Sequence, residues 1–161
     1  KGFSMTGWRL GYMAGPKWLA DACNKVQGQI TSGAASFSQE AAVTALKADR
    51  SEAMAMKEAF LRRRDLLISL MSEIPGLKLN KPQGAFYIFP DVSKYFGTSN
   101  GTVAINNADD FAEAMLTEAH VGLVSGSAFG ADSCVRLSYA ASDDDLREAV
   151  RRLANCLKGF K

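Results

Sequence analysis

Residues 1–12 read KGFSMTGWRLGY and combine a lysine, an arginine and three glycines in one short run. A lysine amine becomes a nucleophile toward carbonyl groups when it loses its proton. Arg9 carries a planar and permanently charged guanidinium, which suits a phosphate group. The glycines allow the backbone to approach a ligand closely. Taken by themselves, these residues also fit a structural reading, with Lys1 as a terminal residue and Arg9 as a surface charge.

The composition is that of an ordinary globular domain. Apolar residues make up 47% of the 161 residues and charged residues 22%, so the chain is long enough to bury a core. The net charge of +2 gives no general attraction to nucleic acid or to an anionic membrane. No apolar run approaches the ~18 residues of a membrane span, and residues 1–9 lack the apolar segment of a signal peptide.

The counts of histidine and cysteine limit the possible sites. His120 is the single histidine, so a zinc site with several histidines cannot form within one chain. We interpret His120 as structural, because it lies between a predicted helix and a predicted strand. Cys23, Cys134 and Cys156 are odd in number and lack C-x-x-C spacing. This usage predicts reduced thiols in a cytoplasmic protein and no metal site.

Hydrophobic periodicity predicts three helices in the first half of the chain. Pro16 is expected to start the first, Ser38 to cap the second, and Pro75-Gly76 to end the third. Leu10 to Ala14 is expected to form a short buried strand. The predicted helices cover residues 16–26, 39–47 and 51–74.

The second half alternates between strand and helix signals. Ser142 is a good N-cap for a final helix, and the three aspartates that follow it favour the positive end of the helix dipole. Residues 91–107 are predicted to be irregular, and residues 109–119 to be helical. The predicted strands cover residues 77–80, 85–89, 121–124 and 135–139. Such alternation indicates an α/β or α+β fold.

One run of arginines and one single arginine are candidates for binding a ligand. The run Arg62 to Arg64 lies on a predicted helix, where consecutive side chains point in different directions, so we interpret it as a solvated face. Arg136 lies inside an apolar strand segment and therefore needs an anionic partner. That partner could be a structural carboxylate or a bound ligand.

The run of residues 1–12 resembles the pyridoxal-phosphate attachment motif of the class I and II aminotransferases, S-K-x-[FY]-[SA]-M-T-G-W-R-[LIV]-G-Y. Every position after the opening serine of that motif matches. In that family the motif lysine carries the cofactor as a Schiff base, and the motif arginine binds the cofactor phosphate. The resemblance therefore implies that Lys1 is catalytic and binds the cofactor, and that Arg9 binds its phosphate.

Three further segments are similar to the same family. Residues 82–89, PQGAFYIF, resemble P-x-G-A-F-Y-x-F, and residues 121–130, VGLVSGSAFG, resemble V-A-V-V-P-G-S-A-F-G. In the second of these segments, Ser125 replaces the usual proline. Residues 135–140, VRLSYA, contain R-[IL]-S-Y-A. The family uses this arginine to clamp the α-carboxylate of the substrate, which implies that role for Arg136.

The resemblance implies the α/β fold of pyridoxal-phosphate fold type I. Residues 1–45 are then the end of the large cofactor-binding domain and its connector, and residues 46–161 are an α+β small domain. A homodimer is also implied, with Thr31-Ser32 in the loop that reaches the neighbouring subunit's cofactor. Other residues that the family places around the cofactor have no match here, so we expect residues 1–161 alone to be inactive.

The implied reaction is transamination between an L-amino acid and a 2-oxo acid. The sequence most resembles the bacterial aspartate aminotransferases, which implies aspartate as the amino donor. An aromatic amino acid, alanine or prephenate as a substrate stays open, because the residues that read the distal group are not in these segments. A non-catalytic interaction module is the alternative from another class. Nucleic-acid binding through Arg62 to Arg64 has little support from the net charge.

Overall fold

The computed structural model describes residues 2–161 and divides into two compact units, one up to Met56 and one from Lys57. The boundary lies within a helix. The helices are α1 (Lys17–Ile30), α2 (Ser36–Lys47), α3 (Ser51–Ser72), α4 (Ala108–Ala119) and α5 (Asp143–Leu157). The strands are β1 (Tyr87–Ile88), β2 (Thr98–Ser99), β3 (Ala104–Ile105), β4 (Val124–Ser125) and β5 (Val135–Ser138). This mixture confirms the predicted α/β class. The domain boundary at residue 45 stays a prediction.

The first unit confirms one predicted helix start and corrects another. Pro16 is the N-cap residue of α1, as expected of a residue that lacks an N–H and has a fixed φ. The second helix begins at Ser36, so Ser38 lies inside α2 and not at its N-cap. Ser38 is 2% exposed, and its hydroxyl donates to the carbonyl oxygen of Trp8 over 3.2 Å.

The strand predicted at residues 10–14 is wrong. These residues have no regular secondary structure, and residues 11–14 are exposed. A strand is stable only when a neighbouring strand takes up its backbone hydrogen bonds. Within residues 2–161, no strand pairs with this segment.

A three-stranded antiparallel sheet organises the second unit, with β5 in the centre between β1 and β4. Tyr87 of β1 pairs with Ser138, and Val124 of β4 pairs with Arg136. A separate two-stranded ladder joins β2 to β3. The predicted strand at residues 77–80 is reduced to one bridge between Lys78 and Asp91. Residues 91–107, predicted to be irregular, contain this β2–β3 hairpin and one 3-10 turn.

The hydrophobic core of the second unit lies between the sheet and helices α3, α4 and α5. Its most deeply buried side chains, each at most 2% exposed, come from all of these elements. They include Leu67, Met71, Ile88, Val92, Ile105, Phe111, Met115, Val135 and Leu153. The final helix predicted after Ser142 is confirmed as α5, and its apolar side chains Leu146, Val150, Leu153 and Leu157 are buried.

Local capping explains where α4 and α5 begin. The Ser142 side chain accepts a hydrogen bond from the backbone N–H of Asp145, as predicted, and Asn107 does the same for Asp110. His120 ends α4 in the left-handed conformation with φ +54°. The structural interpretation of the His120 side chain stays a prediction.

The run Arg62 to Arg64 is only partly a solvated face. Arg62 and Arg63 pair with Asp143 at the start of α5. The Arg64 side chain is 13% exposed and donates to the carbonyl oxygen of Pro82 over 3.1 Å. The prediction holds for Arg62 and is wrong for Arg64, because the loop after α3 covers that side of the helix.

Candidate active site

The strand β5 presents Arg136 on the face of the sheet opposite the core. Successive side chains of a strand point to opposite faces. Val135 and Leu137 are buried at 1% and 7% exposure and Arg136, between them, is half-buried. The central position of β5 gives Arg136 neighbours from both flanking strands.

Two aromatic rings contact the guanidinium of Arg136. Its Cζ lies 4.4 Å from the centroid of the Tyr87 ring and 4.4 Å from that of Phe129. Tyr87 pairs with Ser138, two residues from Arg136, which makes it a diagonal neighbour on the sheet. Within residues 2–161, Arg136 has neither an ion pair nor a hydrogen bond from its side chain, so no structural carboxylate takes the role that the sequence left open.

Phe129 ends a 3-10 turn, Gly126–Phe129, that follows β4. The turn packs closely on the backbone, because a Cβ on Gly126 would lie 2.2 Å from the carbonyl oxygen of Ala131. The Ser127 hydroxyl donates to Asp109 of α4 over 3.0 Å. Hydrogen bonds from Ser125 and Ser127 lower the pKa of Asp109. This carboxylate therefore stays ionised near neutral pH and anchors the turn to α4.

The segment before Tyr87 is held in a strained conformation. Ala85 has a φ of +61°, which a residue with a Cβ rarely adopts. The hydroxyl of Tyr139 donates to the carbonyl oxygen of Ala85 over 3.0 Å. The backbone N–H of Tyr139 donates to the carbonyl oxygen of Phe86 over 2.9 Å. Burial raises the pKa of Tyr139, so its hydroxyl is protonated and able to donate at neutral pH.

The sequence leaves Tyr87 open between the substrate side and the core, and it assigns no role to Phe129; neither residue is predicted from the sequence to contact Arg136. Aromatic residues in strands usually belong to the core, and Phe129 lies seven residues before Arg136 in a glycine-rich segment. The signal that could find them is the pairing of β5 with both β1 and β4. That pairing is a property of the folded chain.

Arg9 lies in the first unit, directly after the 3-10 turn Thr6–Trp8. Its φ of +51° is left-handed, and its guanidinium donates to the carbonyl oxygen of Thr6 over 3.2 Å. The side chain is exposed and has no acidic partner among residues 2–161. A Cβ on Gly7 or Gly11 would meet no atom of that part of the chain within 4 Å. This segment thus offers an unpaired cation beside open backbone.

Lys1, the predicted catalytic residue, lies outside the described residues. Thr31 and Ser32, the residues predicted to reach a neighbouring subunit, follow α1 and are exposed.

Ser127 is not placed as a nucleophile. Its hydroxyl hydrogen-bonds to Asp109 and Ser125, and neither of these is a base of the kind that activates a serine nucleophile.

Within residues 2–161, no group of three or more metal-ligating side chains comes together. No helix in that range combines the length and hydropathy needed to cross a membrane. The three cysteines are free thiols.

Comparison with known proteins gives one family. Residues 1–153 match the model of the family "Aminotransferase class I and II". A bifunctional aspartate aminotransferase and glutamate/aspartate-prephenate aminotransferase of Petunia hybrida is 48% identical over 165 residues, which covers 100% of this chain and 34% of that protein. An aspartate/prephenate aminotransferase of Cereibacter sphaeroides is 44% identical, covering 95% of this chain and 38% of that protein.

Solved structures agree with the sequence relatives. The aspartate aminotransferase of Rhizobium meliloti superposes with a TM-score of 0.93 at 40% identity, covering 100% of this chain and 40% of that one. An aromatic aminotransferase from Pyrococcus horikoshii gives a TM-score of 0.85, also at 40% identity, covering 98% of this chain and 41% of that one. The chain thus has the expected aminotransferase fold and spans about a third of the length of the curated relatives that it matches.

Proposed function

The chain belongs to the class I and II aminotransferases, and from this premise we propose that it supplies three working residues of a pyridoxal-phosphate-dependent transaminase. Lys1 is the catalytic lysine that carries the cofactor, Arg9 binds the cofactor phosphate, and Arg136 binds the substrate α-carboxylate. The amino donor is L-aspartate and the acceptor is a 2-oxo acid.

The observation that supports the proposal most strongly is the environment of the Arg136 guanidinium. Its half-buried guanidinium lies between elements of an ordered sheet, against two aromatic rings. A guanidinium removed from water needs an anion, and residues 2–161 provide none for it. The α-carboxylate of an amino acid matches the paired N–H donors of arginine in geometry and charge.

The first unit fits a phosphorylated aldehyde cofactor. Arg9 is exposed, lacks an acidic partner within residues 2–161, and lies between Gly7 and Gly11, where open space surrounds the backbone. A phosphate would find a permanent charge and a close approach there. A lysine amine is the protein group that bonds to an aldehyde, and Lys1 is the lysine of this motif.

The chemistry that bound pyridoxal phosphate supplies is an electron sink, which makes the Cα–H bond of an amino acid acidic. The Nζ of Lys1 is the base that removes the proton from the substrate Cα. Arg136 holds the α-carboxylate and so sets which bond of Cα is presented for cleavage. Arg9 holds the phosphate and prevents the reacting group from turning.

The substrate assignment follows the relatives. The relatives from Petunia hybrida and Cereibacter sphaeroides are both aspartate aminotransferases. Prephenate is the second candidate acceptor, because the Petunia hybrida and Cereibacter sphaeroides relatives are also prephenate aminotransferases. A panel of amino donors and 2-oxo acids, with prephenate included, distinguishes the two.

We also propose a cytoplasmic homodimer. Three free thiols are typical of a reducing compartment. Large apolar side chains of the first unit are exposed, among them Tyr12 at 85%, Trp18 at 72%, Ile30 at 74% and Phe37 at 69%. Exposed apolar surface of this kind favours burial against further protein, either the rest of the full-length chain or a second copy. Light scattering of the full-length protein tests the dimer, and a monomer would rule it out.

The direct test of the function uses the full-length protein that contains these residues. Borohydride reduction converts a lysine–pyridoxal-phosphate adduct into a stable one, which peptide mass spectrometry then locates. We expect the adduct on Lys1, together with formation of oxaloacetate from L-aspartate and 2-oxoglutarate. An adduct on another lysine, or an absence of transamination with every donor of the panel, would overturn the proposal.

A further inference from the structure

We propose that Tyr87 and Phe129 are positioning residues that hold the guanidinium of Arg136 ready for the carboxylate of the substrate. The inference rests on the proposed function, because it assumes that Arg136 binds a carboxylate. It adds two residues to the site and a physical reason why this arginine binds well without a structural acid beside it.

The geometry is that of two cation–π contacts on one guanidinium. Both ring centroids lie 4.4 Å from Cζ of Arg136, within the ~6 Å over which the negative face of a ring attracts a cation. Such attraction uses none of the five N–H donors of arginine in a hydrogen bond. Within residues 2–161, the guanidinium is therefore held in place while its donors stay available.

The choice of aromatic rings has a functional consequence. A carboxylate beside Arg136 would also hold it, but would neutralise its charge and compete with the substrate. Two rings restrain the side chain without neutralising it. Because a flexible arginine loses rotamer freedom when it binds, a restrained one loses less and binds more tightly.

The rings of Tyr87 and Phe129 are each fixed in place by further contacts. Phe129 contacts the edge of Phe89 at 6.1 Å between centroids, and its turn is tied to α4 through the hydrogen bond from Ser127 to Asp109. Tyr87 lies in the ladder with β5 and contacts the ring of Phe86 at 4.4 Å. Phe129 is nevertheless 49% exposed, so core packing alone does not account for a large ring at this position.

The test measures steady-state kinetics of the full-length holoenzyme with Phe129→Leu and Tyr87→Leu. Each removes a ring but keeps an apolar side chain. We expect KM for L-aspartate and for the 2-oxo acid to rise about 3- to 30-fold, with kcat changed less than about twofold. The dissociation constant of succinate, an unreactive carboxylate probe, should rise in parallel.

Rescue and control variants separate positioning from general packing. Phe129→Tyr and Tyr87→Phe keep the rings and should restore KM. Phe96→Leu, a half-buried phenylalanine of the same unit, should leave KM and the succinate constant unchanged. Since Phe129 is half exposed, its leucine variant should fold even if that of Tyr87 does not.

Two results would overturn the inference, and a third would remove its premise. An unchanged KM and succinate constant in Phe129→Leu would show that the rings do not act through Arg136. An equal rise in Phe129→Tyr would assign the effect to packing. If the wild-type protein catalyses no transamination, the proposed function fails and the inference fails with it. If it does and the leucine variants match it, the inference alone fails.

Discussion

The hydroxyl of Tyr139 donates a 3.0 Å hydrogen bond to the carbonyl oxygen of Ala85, whose backbone is held at a φ of +61°. Tyr139 lies three residues after Arg136, and Ala85 lies two residues before Tyr87. The bond therefore joins the strand that carries the candidate substrate ligand to the segment that carries one of its aromatic neighbours.

Tyr139→Phe should lower the free energy of unfolding by about 1 kcal/mol, because the part-buried hydrogen bond to the carbonyl oxygen of Ala85 is lost. Urea titration of the full-length protein measures the change. Tyr12→Phe is the matched control, since that side chain is 85% exposed. Equal stabilities of the two variants would mean that water replaces the lost hydroxyl at Ala85.

Gly126→Ala should destabilise the protein by about 3 kcal/mol, since the added methyl group must displace the backbone. The clash is with the carbonyl oxygens of Ala131 and Cys134, at 2.2 Å and 2.4 Å. Gly122→Ala, four residues earlier and with open space at its Cβ, should be close to neutral. Thermal unfolding of the two variants checks the difference, and a Gly126→Ala protein as stable as its control would contradict it.

Arg136→Lys should raise KM for L-aspartate about 10- to 100-fold, because a point charge replaces a pair of charge-assisted hydrogen bonds. The turnover number should fall less than KM rises. Initial rates over a range of aspartate concentrations measure both. Arg62→Lys, an exposed arginine paired with Asp143, controls for loss of arginine in general. A Michaelis constant that stays at the wild-type value would remove Arg136 from the substrate site.

Lys1→Ala should abolish turnover, because no other amine at that position can take the proton from Cα. The assay is oxaloacetate formation by the full-length variant. Lys17→Ala is the control, as this lysine lies in an exposed pair with Asp21. Substantial residual transamination by Lys1→Ala would contradict the assignment of Lys1 as the catalytic lysine.

The lowered pKa of Glu148 predicts a specific pH dependence of the free energy of unfolding. Hydrogen bonds from Arg151 and Arg152 lower its pKa from 4.5 to about 2. A carboxyl whose pKa is lower in the folded state contributes stability above its ordinary pKa, and this is lost as the pH falls through the folded value. The contribution should therefore be complete above pH 4.5 and decline from there toward pH 2.

Unfolding of wild type and Glu148→Gln in urea at a series of pH values isolates this carboxyl from the others. The stability difference between the two proteins should shrink as the pH falls, and added salt should reduce it, because the pair is exposed. A constant difference across the range would show that Arg151 and Arg152 do not act on Glu148.

Local signals in the sequence predicted the elements that depend on nearby residues. Pro16 and Ser142 mark helix starts that the structure confirms, since a cap acts on the N–H groups of the next few residues. The buried stripe of α5 follows from a period of 3.6 residues. The family is likewise evident from residues 1–12, where a contiguous motif needs no tertiary information.

The predictions that are wrong concern residues whose structure depends on a distant part of the chain. Residues 10–14 are apolar enough for a strand, but no strand within residues 2–161 pairs with them. Ser38 has the side chain of a cap, yet it lies within α2 and its hydroxyl bonds to the carbonyl of Trp8, 30 residues away. Arg64 belongs to a charged run, but the Pro82 segment covers it.

Short contiguous motifs are enough to indicate the family, the helix starts at Pro16 and Ser142, and the candidate roles of Lys1, Arg9 and Arg136. The surroundings of Arg136, in contrast, follow from the folded structure. Tyr87 and Phe129 come from segments 49 and 7 residues away from it, and the register of β1, β4 and β5 brings both rings to within 4.4 Å of its guanidinium. The pairing of β1 with β5 joins strands that are far apart in the sequence, so no local pattern predicts which residues face each other across it.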